Sequence, residues 1–200
     1  MSAITEMIFI ALYTVFIQNL VFTGGFGMGE ALRIATKPRR FLIFAGLLTG
    51  FSALDTLVCA ALYTIPALDA LPTAYQLPIN ACVLLVLFLL VVLTVTIITK
   101  RRPMDKFLST IGMAALNTLV FILPFLGRRS AFGLGGALAF GFGAGVAFLL
   151  ALAVLRLGVN RIMESKAEIP HAFRGTPALF IYSALFSLAM VGLVGETLFA

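Results

Sequence analysis

Charged side chains are scarce in this 200-residue sequence, which has 14 Lys and Arg, 8 Asp and Glu and one His. Hydrophobic residues make up 62% of the chain, charged residues make up 11%, and the mean hydropathy is +1.13. So few polar side chains cannot cover the core of a water-soluble protein of this size, and the apolar runs are long enough to cross a bilayer. The composition therefore excludes a soluble globular protein and predicts an integral membrane protein.

Cysteine is also rare, because the chain contains only Cys59 and Cys82. Both lie in apolar runs, which favours buried free thiols over a disulfide, and their spacing is not that of metal ligands. The sequence has no Cys-x-x-Cys cluster, no Walker loop and no Gly-x-Gly-x-x-Gly phosphate fingerprint after a strand. Any electron or nucleotide chemistry must therefore be supplied by partners.

Six apolar segments predict six membrane-spanning helices, at about residues 4–23, 41–65, 76–99, 107–126, 132–155 and 175–198. Each is close to the ~20 residues that a hydrocarbon layer of ~30 Å requires. The connectors are too short to form a separate soluble domain. We therefore predict an all-α membrane protein with a single integral membrane domain over residues 1–200.

The basic residues predict the orientation of these helices. Twelve of the 14 Lys and Arg residues lie within residues 33–40, 100–106 and 156–174, and only Arg128 and Arg129 lie elsewhere. The positive-inside rule places these three connectors in the cytoplasm, and both termini and the other two connectors outside. Because the charges are spread over turns next to the membrane, they give little support to nucleic-acid binding, so we expect a lipid bilayer as partner and no nucleic acid.

Two segments interrupt the helical pattern. Four glycines fall within residues 24–29, and each costs about 1 kcal/mol relative to Ala in a helix. Both a flexible exit loop at the cytoplasmic surface and a re-entrant stretch packed among helices fit this composition. In the fourth predicted span, Asn117 and Thr118 lie near the middle with Pro124 beyond them, and a buried Asn needs a hydrogen-bond partner.

The six spans also divide into two groups of three, residues 1–100 and 101–200. Halves with an odd number of spans have opposite orientations, as in transporters built from inverted repeats. Residues 18–22 (Gln-Asn-Leu-Val-Phe) are similar to residues 117–121 (Asn-Thr-Leu-Val-Phe), which gives weak support to a repeat. We expect residues 24–29 to approach Asn117 and Thr118 near the membrane midplane.

Residues 169–175 (Ile-Pro-His-Ala-Phe-Arg-Gly), directly before the last span, resemble the corresponding segment of the Rnf/Nqr family of membrane subunits, most closely the RnfA type. Residues 46–50 (Gly-Leu-Leu-Thr-Gly) at the start of span two, the six spans and the outside termini also fit that family. The resemblance implies a membrane subunit of a complex that couples ferredoxin or quinone redox chemistry to sodium or proton movement. It also implies an RnfE-like paralogue among the partners and a location in the bacterial cytoplasmic membrane.

The resemblance further implies a [2Fe-2S] centre shared with a partner subunit, because RnfA-like chains hold it with one cysteine after span one and another in span four. Asn19, Gly29 and Asn117 keep the family's residues around these positions, but the cysteine positions correspond to Gly25 and Thr118. Glycine has no side chain and a threonine hydroxyl is a poor substitute for a thiolate. We therefore expect this chain to supply no cofactor ligand, no metal ligand and no catalytic residue.

Asp55 is the one acid deep in a predicted span, and buried carboxylates often mark ion or proton routes. A neutral, structural Asp55 with Ser52 and Thr56 as local partners is the alternative. With Asn19 and Asn117, Asp55 forms our set of ion-pathway candidates. Glu6, Glu196 and His171 are better explained as solvated residues, and residues Gly141-x-x-x-Gly145 suit close helix packing.

Three functions are compatible with these features. The favoured one is an Rnf/Nqr-like membrane subunit, redox-inactive in itself. The second is a small membrane transporter or ion carrier that kept the fold without redox chemistry. The third is a purely structural assembly subunit.

Overall fold

A computed structural model of the chain describes residues 2–36, 41–99, 105–164, 170, 173 and 175–194. Every regular element in that part of the chain is a helix, which confirms the predicted all-α class. The elements in chain order are α1 (Ala3–Phe16), α2 (Leu20–Thr23), α3 (Met28–Thr36), α4 (Phe41–Leu62), α5 (Pro66–Asp69), α6 (Thr73–Thr99), α7 (Asp105–Ala115), α8 (Thr118–Arg129), α9 (Leu134–Glu164) and α10 (Thr176–Val194).

Four segments of the described chain are long and apolar enough to cross a membrane: Phe41–Leu62, Thr73–Ile98, Phe107–Arg129 and Leu134–Ile162. They correspond to predicted spans two to five and are those of an integral membrane protein. The first and last predicted spans contain shorter apolar helices, Ala3–Phe16 and Thr176–Gly192. At ~1.5 Å per residue the 14 residues of α1 extend only about 21 Å, so α1 alone is too short for a ~30 Å layer.

Helix α9 is the centre of the structure, since it packs against α1, α2, α3, α4, α8 and α10. Its most extensive contact is with α4, and small residues allow the two helices to approach closely. A Cβ on Gly141 would collide with Thr56 Oγ1 and the backbone oxygen of Ser52, and a Cβ on Gly145 would lie 2.5 Å from Thr49 Cα. The close packing predicted for Gly141-x-x-x-Gly145 is therefore confirmed, and α4 is the partner helix.

Helix α6 shows the opposite behaviour. Only 6% of its most apolar window is buried, compared with 61% for α9, so most of its side chains face outward. Cys82 lies on this exposed surface, whereas Cys59 in α4 is buried. The prediction of two buried thiols is therefore wrong for Cys82, because α6 packs through one narrow face. Both cysteines are free, as predicted.

Two predicted spans are interrupted: the first already at residues 17–19, before the expected glycines, and the fourth at the expected Asn117. The helix predicted over residues 4–23 ends at Phe16, and α2 begins only at Leu20. The helix predicted over residues 107–126 divides at Leu116 and Asn117. Pro124 lies inside α8 and does not interrupt it, so the break comes from the local chain conformation at Asn117 and not from the proline.

Candidate functional site

Asn19 stands at the first helix break and begins the next helix. Val21 N–H donates to Asn19 Oδ1 at 3.1 Å, so the side chain caps the N-terminus of α2. The other side of the amide donates from Nδ2 to the backbone oxygen of Ala147 in α9 at 2.9 Å. Asn19 is fully buried, and these two bonds satisfy both ends of its amide.

Asn117 has the same capping role at the second break. Leu119 N–H donates to Asn117 Oδ1 at 2.9 Å, which caps the N-terminus of α8. Its Nδ2 differs from that of Asn19, because it is buried without a hydrogen-bond partner. The two caps align Asn19 with Asn117, which shifts the predicted repeat of residues 18–22 and 117–121 by one position. What the two segments share in structure is a capping asparagine.

The glycine segment turns back on itself between α2 and α3. Gly25 and Gly27 have φ of +70° and +76°, a backbone region that favours glycine. At the end of this turn, Gly27 N–H donates to Thr118 Oγ1 at 2.9 Å. A Cβ on Gly27 would lie 2.8 Å from Asn117 Oδ1, so the backbone approaches the second break closely. The two segments therefore approach each other as predicted, through the buried Gly27, whereas Gly24, Gly25 and Gly29 of the same segment are exposed.

A cavity of about 500 Å³ lies beside this contact. Its lining comes from the turn, from the start of α3 and from both sides of the second break; it comprises Gly27, Gly29, Glu30, Gly112, Met113, Leu116, Asn117 and Thr118. Glu30 pairs with Arg33 at 2.7 Å, and Arg33 also lies 2.7 Å from Met113 Sδ. Residues of the cavity lining thus include Glu30 of this ion pair and Asn117, whose amide nitrogen has no partner.

The residues at this site do not fit a [2Fe-2S] cluster. Gly25 has no side chain, and the Thr118 hydroxyl already accepts the Gly27 hydrogen bond. Cys59 and Cys82 lie in α4 and α6, which contain neither break. Thiolates are the usual cluster ligands, so the described part of this chain offers none at the positions that the resemblance implies.

Asp55 is fully buried in α4, a helix that contains neither break. Cys59 Sγ lies 3.9 Å from Asp55 Oδ1, and Asp55 Oδ2 has no partner. The proposed local partners are wrong: the Thr56 hydroxyl donates to the backbone oxygen of Ser52 at 2.7 Å, and Ser52 Oγ has no partner itself. Hydroxyls in helices commonly bond the preceding turn, which removes them from neighbouring side chains.

A group of polar residues at the C-terminal end of α4 was not predicted from the sequence. Arg128 of α8 lies over the Tyr63 ring at 4.0 Å and forms an ion pair with Asp69 at 3.0 Å. Tyr63 also donates to Asn80 Oδ1 of α6 at 3.0 Å. The sequence feature that could have indicated this group is Arg128, which lies outside the three connectors that carry most basic residues.

Of the residues interpreted as solvated, Glu6 is exposed in α1. His171 and Glu196 lie outside the described residues, as do most basic residues of the three connectors. Among the described residues, no group of three or more His, Cys, Asp or Glu side chains is arranged to hold a metal ion.

We expect Thr118→Val to loosen the contact between the two breaks. Valine keeps the branched shape but cannot accept the Gly27 N–H, so the free energy of unfolding should fall by about 1 kcal/mol. Thermal unfolding in mild detergent measures this loss. Thr94→Val is the matched control, because the Thr94 hydroxyl only bonds Leu90 of its own exposed helix face. Equal stability of the two variants would show that the Gly27 bond contributes nothing.

Comparison with known proteins assigns no family: the sequence matches no protein-family model and no curated protein.

Proposed function

We propose that this chain is a membrane subunit of an Rnf/Nqr-like ion-translocating electron-transfer complex in the bacterial cytoplasmic membrane. The observation that carries the proposal is the meeting of two interrupted helices, joined by the bond from Gly27 N–H to Thr118 Oγ1. After each break an asparagine caps the start of the next helix, Asn19 at α2 and Asn117 at α8. These are the segments that the resemblance places at the functional centre of the family.

Helix breaks of this kind support a role in ion movement. Non-helical backbone at membrane depth is tolerated only where protein surrounds it or where it lines a water-filled cavity. Transporters with inverted repeats bind ions and substrates at the ends of such broken helices, near the midplane. In this proposal, the capped breaks and the adjoining cavity of about 500 Å³ form such a site. In this proposal, residues 1–100 and 101–200 are inverted halves with three spans each.

Redox chemistry in the complex would be performed by other subunits. The positions that correspond to the family's cysteines hold Gly25 and Thr118, which offer no thiolate. An RnfE-like paralogue is the proposed neighbour, and this chain would contribute an ion pathway without a cluster of its own. Asp55, Asn19 and Asn117 are the candidate residues of that pathway, because each is buried and polar.

An ion carrier that works alone is the second candidate function. The observation that favours it is Asp55, a fully buried acid with an unpartnered oxygen in a helix that contains neither break. A buried carboxylate in a membrane helix is costly and is often retained for transport. Such a carrier would need no redox partner.

The proposed orientation gives a direct prediction. We expect the segment around Asp69 and both termini to lie outside, because twelve of the 14 basic residues lie in the three connectors assigned to the cytoplasm. Single cysteines introduced at exposed Ala70 and at exposed Glu164 should react with a membrane-impermeant reagent in intact cells only at position 70. The background for both is a Cys59→Ser, Cys82→Ser chain. Labelling only at position 164 would show that the orientation is the opposite of the proposed one.

Purification separates the two functions. We expect the native chain, extracted in mild detergent, to co-purify with other membrane subunits, and the chain purified alone under anaerobic conditions to contain no stoichiometric iron or acid-labile sulfide. A chain that moves ions in proteoliposomes without any partner would support the carrier instead. Iron and sulfide that are lost on Cys59→Ser or Cys82→Ser would show that this chain does hold a redox centre, with a cysteine of α4 or α6 among its ligands.

A further inference from the structure

A second cavity, of about 340 Å³, lies where α4 and α8 end and α9 begins. Its polar lining comes from Thr56, Tyr63, Thr64, Asp69 and Arg128. Its apolar lining includes Ala60, Pro124, Phe132, Leu134 and Ala137. The lining therefore combines charged and polar groups with apolar side chains, which is the composition of a site for an amphiphile.

The guanidinium of Arg128 is only partly satisfied at this cavity. Its Nη2 donates to Asp69 twice, to Oδ1 at 3.0 Å and to the backbone oxygen at 2.8 Å. The Tyr63 ring covers one face at 4.0 Å. Its Nη1 is buried and has no hydrogen-bond partner. Leaving a buried donor unpaired costs more free energy when the donor belongs to a charged group than when it belongs to a neutral one. The guanidinium therefore keeps one donor group unpaired.

The chain next to Arg128 is strained in the same place. Ala131 lines the cavity and has φ of +53°, and it is the one non-glycine residue with positive φ among the described residues. The neighbouring Ser130 Oγ is also buried without a partner. Strained backbone and unpaired polar groups persist where the surroundings hold them, and they cluster at binding sites.

The distribution of charge provides an independent argument. Arg128 and Arg129 are the two basic residues outside the three connectors that carry the other twelve. The positive-inside rule disfavours arginine on that side of the membrane, so orientation does not explain them. Arg129 is exposed, whereas the Arg128 side chain is only 21% exposed and built into the cavity. Binding an anion would explain why an arginine occupies this position.

We propose that this cavity binds the phosphate group of an anionic phospholipid, with Arg128 as its anchor and an acyl chain along the apolar wall. Guanidinium groups bind phosphate oxygens through paired charge-assisted hydrogen bonds. The cavity lies at the common end of three candidate spans, the level at which lipid phosphates occur. Asp69 is 65% exposed, so its carboxylate can leave the guanidinium at little cost when the phosphate binds.

Free phosphate has the same chemistry as the lipid headgroup, and the apolar wall decides between them. A small hydrated anion would leave Phe132 and Leu134 facing an empty apolar space, whereas an acyl chain covers them. The proposal is independent of whether the complex carries out redox chemistry.

The test uses the full chain in an uncharged mild detergent. Its thermal unfolding midpoint is measured during titration with short-chain phosphatidylglycerol, short-chain phosphatidylcholine or inorganic phosphate at constant ionic strength. We expect phosphatidylglycerol to raise the midpoint saturably, and phosphatidylcholine and inorganic phosphate to have little effect at the same concentrations. Arg128→Gln should weaken the apparent affinity about tenfold or more. Arg129→Gln removes the same charge one residue away and should respond like the native chain.

Ala60→Leu provides a second test in case Arg128→Gln does not fold. It fills the cavity from α4 and leaves every partner of Arg128 in place, so phosphatidylglycerol should lose most of its effect. Equal responses of the Arg128 and Arg129 variants, or of native and Ala60→Leu chains, would overturn the site. An equal response to phosphatidylcholine would overturn the requirement for an anionic lipid, and an equal response to inorganic phosphate would overturn the lipid as occupant.

Discussion

Gly141→Ala should destabilise the protein by about 3 kcal/mol, the upper part of the range for overpacked cores. The new methyl group would collide with Thr56 Oγ1 and with the backbone oxygen of Ser52, and would lie 2.9 Å from Ala53 Cα. Two of these three atoms belong to the backbone of α4, so a change of rotamer cannot relieve the contact. The helices α4 and α9 would have to separate along their longest contact. Thermal or denaturant unfolding in mild detergent measures the loss.

Gly46→Ala and Gly192→Ala are the matched controls for this experiment. Both glycines lie inside helices, and a Cβ on either would meet no atom within 4 Å. Alanine is the better helix former by about 1 kcal/mol, so these variants should be as stable as the native chain or more stable. A Gly141→Ala chain as stable as the controls would show that α4 and α9 are not in close contact at Gly141.

The long helices could be predicted from the sequence because their signal is collective. Twenty or more apolar residues outweigh any single residue, and α4, α6 and α9 each lie close to a predicted span. The small-residue motif Gly141-x-x-x-Gly145 was also readable, because glycine at that spacing leaves a groove on one helix face. Its partner helix could not be predicted, because residue spacing within α9 does not indicate which helix packs against it.

The helix breaks were predicted less well for the same physical reason. A hydropathy window averages over ~19 residues and does not detect one or two residues that leave the helical conformation. Asn19 and Asn117 lie in apolar surroundings, and only their caps at Val21 and Leu119 show where new helices begin. Asparagine is a preferred N-cap residue, so the signal existed, but it is specific only when the break is already known.

The polar cluster at Arg128 illustrates a different limit. Tyr63 and Arg128 are 65 positions apart, and no local pattern predicts that one lies over the other at 4.0 Å. Counting charges identified Arg128 as an exception but gave it no role. The expected pairing of Asp55 with Thr56 was wrong because the Thr56 hydroxyl bonds its own helix backbone, a local alternative that sequence spacing does not exclude.

Asp55→Asn should reduce ion movement by about tenfold or more if the buried carboxylate is part of the pathway. Asparagine has nearly the same shape as aspartate but carries no charge for a cation and exchanges no proton. The fold should tolerate the change, because Asp55 accepts only a long contact from Cys59 at 3.9 Å and its Oδ2 has no partner. Sodium and proton uptake, energised with redox substrates and followed with ion-sensitive dyes in native membrane vesicles, measures the effect.

Glu6→Gln is the control, because it removes an acidic charge from an exposed position in α1 and should leave uptake unchanged. The unfolding midpoint of the Asp55→Asn chain distinguishes a transport role of Asp55 from a structural one. Removing a buried, poorly partnered carboxylate should leave the unfolding midpoint unchanged or raise it, since the desolvation cost of the charge disappears. An Asp55→Asn chain that unfolds readily would identify Asp55 as a structural residue, and a stable one with native uptake would remove it from the ion pathway.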